Sequence, residues 1–96
     1  MKFSIAGLNK VFDSRIRLGI MAILVVNDEL DFNALKEYLE VTDGNLASHL
    51  KALEKEAYIE VKKSFVGRKP NTRYAVTLKG RQAFGDHLKG LQGLIQ

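Results

Sequence analysis

Residues 42–56, reading TDGNLASHLKALEKE, restrict the fold more than any other stretch. Thr42 is a good helix N-cap, because its hydroxyl can accept from a free backbone N–H of the first turn. Val41 and Leu46 occupy the two positions of a hydrophobic staple. Leu46, Leu50 and Leu53 recur at helical spacing and share one face. Gly44, Asn45, Ser48, Lys51, Ala52 and Lys55 fall on the other side, at about 100° per residue. A helix with one buried face and one small, polar, basic face is expected. The outer face either lies against a partner, a DNA groove being the first candidate, or is simply solvated.

The segments before this helix must supply a surface for its leucines. Asp13 or Ser14 can cap a helix running to about Val26, with Ile16, Ile20, Ile23 and Leu24 in one stripe and Leu18, Met21 and Val25 widening it. A helix apolar nearly all round is buried on more than one side, and one side is available to a partner subunit. The apolar run 18–26 falls well short of the ~20 residues of a membrane span and lacks a small-residue cleavage site, so a core helix and no membrane association are expected. Asn27 suits a left-handed C-cap. Asp31 caps a second, short helix, with Leu30 and Leu35 as its staple and Leu35, Tyr38 and Leu39 as its apolar face. It ends near Glu40. Two short helices joined so tightly must cross steeply, which is a helix-turn-helix. Residues 1–10 read as a loose arm or a short helical turn.

After the central helix, residues 58–66 read as a strand, with Ile59, Val61 and Phe65 alternating with Glu60, Lys62 and Ser64. Lys63 interrupts the apolar side, so the strand leaves the core there. Residues 67–71 carry turn residues and two cations. Residues 73–77 return as a second strand, giving a β-hairpin with a basic tip. Thr77 caps a last helix from about Leu78 to Ile95. Its Phe84, Leu88, Leu91 and Ile95 form one seam, close to a coiled-coil pattern and suited to dimerisation. Gly80, Gly85, Gly90 and Gly93 each cost that helix about 1 kcal/mol relative to alanine, so it depends on packing against the domain or a second copy. The expected architecture is one domain, 1–96, mainly α with a β-hairpin, in the order α-α-α-β-β-α, with 78–96 as a C-terminal packing or dimerisation helix.

The net charge of +4 is unevenly placed. Residues 1–57 hold seven Lys/Arg against nine Asp/Glu, whereas residues 58–96 hold eight against two. Five of those eight lie between Lys62 and Arg73. A local basic cluster on a mildly charged domain points to a polyanion partner. There is no cysteine, which excludes disulfides and thiolate chemistry and fits a cytoplasmic setting. His49 lies at the edge of the buried face, suited to packing or a phosphate; His87 stands alone on the last helix. Asp28, Glu29 and Asp31 read as turn and cap residues. No nucleophile–base pair, metal-ligand spacing or phosphate-cradling glycine loop is present, so no catalytic residue, metal or cofactor is expected and an enzyme is not.

The stretches FDSRIRLGIMAIL, LDFNALKEYL, TDGNLASHLKALEKEAYIEVKKSFVGRKPNTRY and VTLKGRQAF span residues 12–84. In this order they resemble the winged helix-turn-helix of bacterial and archaeal transcriptional regulators, near the MarR-like and ArsR-like families and closest to small single-domain winged helix DNA-binding regulators. The resemblance implies a homodimer on double-stranded operator DNA, with the third helix in the major groove and the hairpin, or wing, on the backbone or minor groove. Carried onto this sequence, Gly44, Asn45, Ser48 and Lys51 take the groove-facing positions. Thr42, His49 and Lys55 complete the recognition helix, and Lys62, Lys63, Arg68, Lys69 and Arg73 the wing. Asparagine can pair bidentately with adenine, and serine can bond several bases. The competing expectation is a winged-helix module that docks another protein and reads no bases. Two departures stand out. The family often has glycine where this chain has Ala57, and the metal-binding cysteines of ArsR-like sensors are absent. No small-molecule effector is legible.

Overall fold

The computed structural model describes residues 5–95; residues 1–4 of the expected arm lie outside them. Side-chain oxygens fix where the four helices begin. Ser14 accepts from the Arg17 amide and opens α1, Arg15–Val26. Asp31 accepts from Ala34 at 2.8 Å and opens α2, Phe32–Leu39. Thr42 accepts from Asn45 and opens α3, Asp43–Lys55. Thr77 accepts from Gly80 at 2.9 Å and opens α4, Leu78–Leu94. Each cap satisfies a first-turn amide that has no partner within its helix.

Three strands complete the chain in one antiparallel sheet of order β1-β3-β2: β1 is Leu30–Asp31, β2 is Ile59–Val66 and β3 is Lys69–Val76. The expected hairpin is there, with a tighter tip. Val66 pairs with Lys69 across Gly67 and Arg68, so Pro70 and Asn71 belong to β3 and not to a loop. Gly67 has φ +65°, which a two-residue hairpin turn demands of its first central residue. Strand β1, two residues pairing with Tyr74 and Arg73, was not expected. Asn27 is also a correction. Its backbone is extended, with φ −128°, and its side-chain amide instead donates to the Ile23 carbonyl at 2.8 Å.

The helices close over one apolar cluster. Leu46, Leu50 and Leu53 of α3 meet Ile20, Met21 and Leu24 of α1 and Leu35 of α2, all 0–2% exposed. Phe12, at the end of a short 3-10 turn, Lys10–Phe12, is equally buried and lies against Tyr58, Phe84 and His87 at centroid distances of 5.4, 5.7 and 5.2 Å. Asn9 ties the same arm down: its amide N–H donates to His87 Nδ1 at 2.9 Å and its side chain to the Tyr58 hydroxyl at 3.0 Å. The described part of the arm is therefore tied to the domain through Asn9, just ahead of the buried Phe12. Phe84 is corrected with it, since it packs inside its own chain and leaves Leu88, Leu91 and Ile95 as the outward part of the expected seam.

Helix α3 ends in a full left-handed cap. Ala57 has φ +61°; its N–H bonds the Glu54 carbonyl at 2.9 Å, and the Tyr58 N–H bonds the Leu53 carbonyl at 3.0 Å. This is the paired arrangement that glycine usually closes. Tyr58 then accepts from the Thr77 amide at 3.0 Å, and α4 lies so close that a Cβ on Gly80 would stand 2.0 Å from the Tyr58 carbonyl oxygen. Two substitutions should move stability in opposite directions. Ala57→Gly relieves a left-handed alanine and should add about 1 kcal/mol, raising the melting temperature by roughly 4–8 °C in a domain this small. Gly80→Ala forces the α4 backbone away from Tyr58 and should cost about 3 kcal/mol. Thermal unfolding followed by circular dichroism measures both, and an Ala57→Gly protein that melts no higher would rule out the strain argument.

Candidate nucleic-acid interface

Helix α3 is held from behind by its leucines, so its opposite face is free. Thr42, Gly44, Asn45, Ser48, Lys51 and Lys55 are all exposed. Gly44 has open space around it, with nothing within 4 Å of an added Cβ. Thr42 is engaged by its own capping bond, and the Asp43 beside it bridges to Lys36 at 2.7 Å across the α2–α3 turn. That pair is exposed and contributes little to stability.

His49 differs from its neighbours. It is half-buried, and its Nδ1 accepts from Arg17 Nε at 3.0 Å. Arg17 also donates to the Val11 carbonyl at 3.2 Å, so one guanidinium joins α1, α3 and the segment before α1. His49 is thus a packing residue of the helix. Burial and then the Arg17 charge hold its imidazole below the ordinary histidine range. Arg17 was not singled out from sequence: it sits amid an apolar helix, and no local pattern links it to His49.

The hairpin sorts its cations by strand parity. Lys63, cross-strand from Thr72, shares a face with Val61 and Tyr74, and these line a groove against Ala47, Lys51 and Glu54 of α3. Lys62 and Arg73, paired with each other in register, lie on the opposite face. There Glu29 reaches Lys62 at 2.9 Å and Arg73 at 3.8 Å, while Glu60 stands 3.8 Å from Lys62. The hydrogen bond from Lys62 pulls the Glu29 carboxyl below its usual range, and Glu29 raises Lys62 in turn. Glu29 is therefore a counter-ion at the base of the wing as well as a loop residue. Among the described residues, Lys63, Arg68 and Lys69 form no ion pair, and from residue 61 to residue 85 the chain carries no Asp or Glu.

The structure thus brings Lys51 of α3 and Lys63 of the hairpin to one groove, and sets Lys62, Arg73 and, by register, Lys69 on the other face of the hairpin, the first two with Glu29. No helix of the described residues is long and apolar enough to cross a membrane. The Arg17–His49 contact is open to a direct check. The folded His49 favours its neutral form, so the unfolded chain takes up the proton first. Stability should be complete above the unfolded value of about 6.5 and should decline as pH falls through the lower folded value. A proton NMR titration should find His49 below that value and find it raised in Arg17→Ala. An unmoved value in that variant would sever the link.

Comparison with known proteins fits this geometry. Residues 16–95 match the family model described as winged helix DNA-binding domain. The uncharacterized protein MJ0432 of Methanocaldococcus jannaschii is 43% identical over 79 residues, covering 82% of this chain and 86% of that protein. The solved structure of a transcriptional regulator homologue from Pyrococcus horikoshii OT3 superposes with a TM-score of 0.77 at 30% identity, over 88% of this chain and 89% of its own. Bacillus subtilis PadR, solved in complex with operator DNA, shares the fold with a TM-score of 0.68 at 22% identity, over 77% of this chain and 46% of its own. A match of this extent, on a fold that assembles the expected helices and hairpin, settles the family: the chain belongs to the winged helix DNA-binding domains.

Proposed function

We propose that the protein is a sequence-specific transcriptional regulator that binds double-stranded operator DNA as a homodimer, with α3 in the major groove and the 62–73 wing on the backbone or adjacent minor groove. One observation carries this reading. Lys51 on the exposed side of α3 and Lys63 on the hairpin line one groove, and beyond Glu60 the hairpin carries cations and no acid, which is the footprint a polyanion requires. Asn45 and Ser48 stand a turn apart on that face and offer donors and acceptors to base edges. Gly44 lets the first turn approach closely, where free backbone amides favour phosphate. Lys51 and Lys55 continue toward the helix C-terminus, within reach of the flanking phosphates. Similarity in fold to PadR, itself solved in complex with operator DNA, supports operator DNA as the partner.

The homodimer is supported by surface that one copy leaves uncovered. On α4, Leu88, Leu91 and Ile95 are 46%, 38% and 86% exposed. They project along one side of a helix whose Phe84 and His87 are held in the core. Two copies joined there would present two α3 helices, and operator half-sites would lie about one helical turn, ~34–36 Å, apart.

Selection of bound sequences from a random DNA pool, followed by titration of the selected duplex, tests the proposal. Neutralising Arg68 and Lys69 together should weaken binding to all sequences. It should also flatten the slope of log affinity against log salt by about 0.9 for each phosphate that is no longer neutralised. Asn45→Ala should instead relax preference at one base pair, by about 1–3 kcal/mol of discrimination if its contact is bidentate. A chain that selects no sequence, and whose DNA binding is indifferent to Asn45→Ala and Ser48→Ala, would instead be a module for protein docking. Sedimentation velocity at micromolar concentration should give a dimer, and Leu91→Lys a monomer. A wild-type monomer would remove the paired half-sites.

A further inference from the structure

The last positions of β2 carry a feature that folding does not require. Phe65 is 73% exposed and Val66 65% exposed, immediately before the Gly67–Arg68 turn. The core does not reach them: every residue of the hairpin from Lys62 to Pro70 is exposed. Phe65 lies cross-strand from Pro70, itself exposed, and touches nothing in the apolar cluster. A threonine would serve a solvated strand equally well. Phe65 and Pro70 together make an exposed apolar patch at the end of a hairpin, rimmed by cations, a form suited to a covering partner.

Its position and surroundings say which molecule. By register, Phe65 shares the hairpin face of Val61 and Lys63, the face that lines the groove against α3. It is therefore continuous with the surface assigned to DNA above, not with the Glu29 side. Its immediate frame is cationic: Lys63 lies two residues back on the same face, and Arg68 and Lys69 close the tip, none of them in an ion pair among the described residues. The complementary surface is anionic at its rims and apolar inside. A DNA minor groove offers that form, with phosphates along both edges, sugar carbons as its walls and stacked bases at its floor. The two-residue turn, with Gly67 at φ +65°, holds the ring on a regular ladder.

We infer that Phe65 is the wing's apolar wedge, a residue that presses into the minor groove beside the α3 half-site and selects base steps that open easily. The inference rests on the DNA-binding reading above and adds a second source of specificity to it. Apolar side chains inserted from the minor groove partly unstack a base step and bend the duplex. Pyrimidine–purine steps yield most readily, so the residue would impose a preference at positions where no base edge is hydrogen-bonded. Arg68 and Lys69 supply charge and position; Phe65 supplies the deformation.

The test uses the full chain and the duplex selected from the random pool, with 2-aminopurine placed at the flanking step. Wild-type protein should raise the 2-aminopurine fluorescence by unstacking it. Phe65→Ser should abolish that rise, flatten the sequence preference at the flank, and weaken binding by about tenfold, a typical loss for one base–aromatic contact. Its salt slope should match wild type, because no charge is removed, whereas Arg68→Ala should lower the slope by about one unit. The chain has no tryptophan, so Phe65→Trp gives a single reporter whose emission should be quenched on the duplex. Phe65→Ser with unchanged affinity and flank preference overturns the wedge and leaves the DNA reading intact. A wild-type chain that selects no sequence overturns both. The wedge is also overturned if Phe65→Ser changes the sedimenting species, or if the tryptophan responds to anionic phosphatidylglycerol vesicles but not to the duplex.

Discussion

One backbone junction, Ala57-Tyr58, holds the elements of this structure in register. The left-handed turn at Ala57 lets Tyr58 bond back to Leu53 and so ends α3. The same tyrosine carbonyl receives the first amide before α4, and the Thr77 hydroxyl that caps α4 also donates to the Ala57 carbonyl at 2.7 Å. The ring of Tyr58 stacks on Phe12, its hydroxyl accepts from Asn9, and Lys79 lies 5.6 Å from its centroid. The end of α3, the root of the hairpin, the start of α4 and the N-terminal arm are therefore one hydrogen-bonded unit. The angle between α3 and the wing is set at this junction, far from either exposed surface.

What was legible in the sequence follows the range of each interaction. The four N-caps were readable because a cap and the amide it satisfies are three residues apart. The leucine face of α3 and the alternation of β2 were readable because helical and strand periods are local. Strand β1 was not, since two residues carry no period and its pairing depends on β3. The burial of Phe12 was not, since a single aromatic outside a repeat gives no signal. Asn9 and His87 find each other across almost the whole chain. Asn27 shows a different failure: asparagine tolerates positive φ, yet here its side chain reaches the Ile23 carbonyl and the backbone stays extended.

The candidate site was legible in outline and not in its pairing. Which α3 residues face outward followed from periodicity. That the strand cations divide between two faces, Lys63 on one and Lys62, Lys69 and Arg73 on the other, followed only from the register of the hairpin, and that two of them meet Glu29 followed only from the packing of the loop before β1. The sequence placed Phe84 in one seam with Leu88, Leu91 and Ile95, because a spacing of four and three cannot distinguish a core stripe from an interface stripe. Where both lie on one helix, only the packing of the folded chain separates them: Phe84 meets Phe12, while Leu88 and Leu91 stay exposed.

The counter-ion at the wing's base has an electrostatic consequence. Glu29 and Glu60 offset charge near the root of the hairpin, while Arg68 and Lys69 sit at its far end. Net positive charge is thereby moved outward along the hairpin, away from the body that carries it. A polyanion approaching the hairpin would meet its uncompensated charge at the tip. That attraction is confined to about a screening length, roughly 8 Å at physiological salt. Placing one carboxylate at the root thus gives the molecule a leading edge as well as a lower total charge.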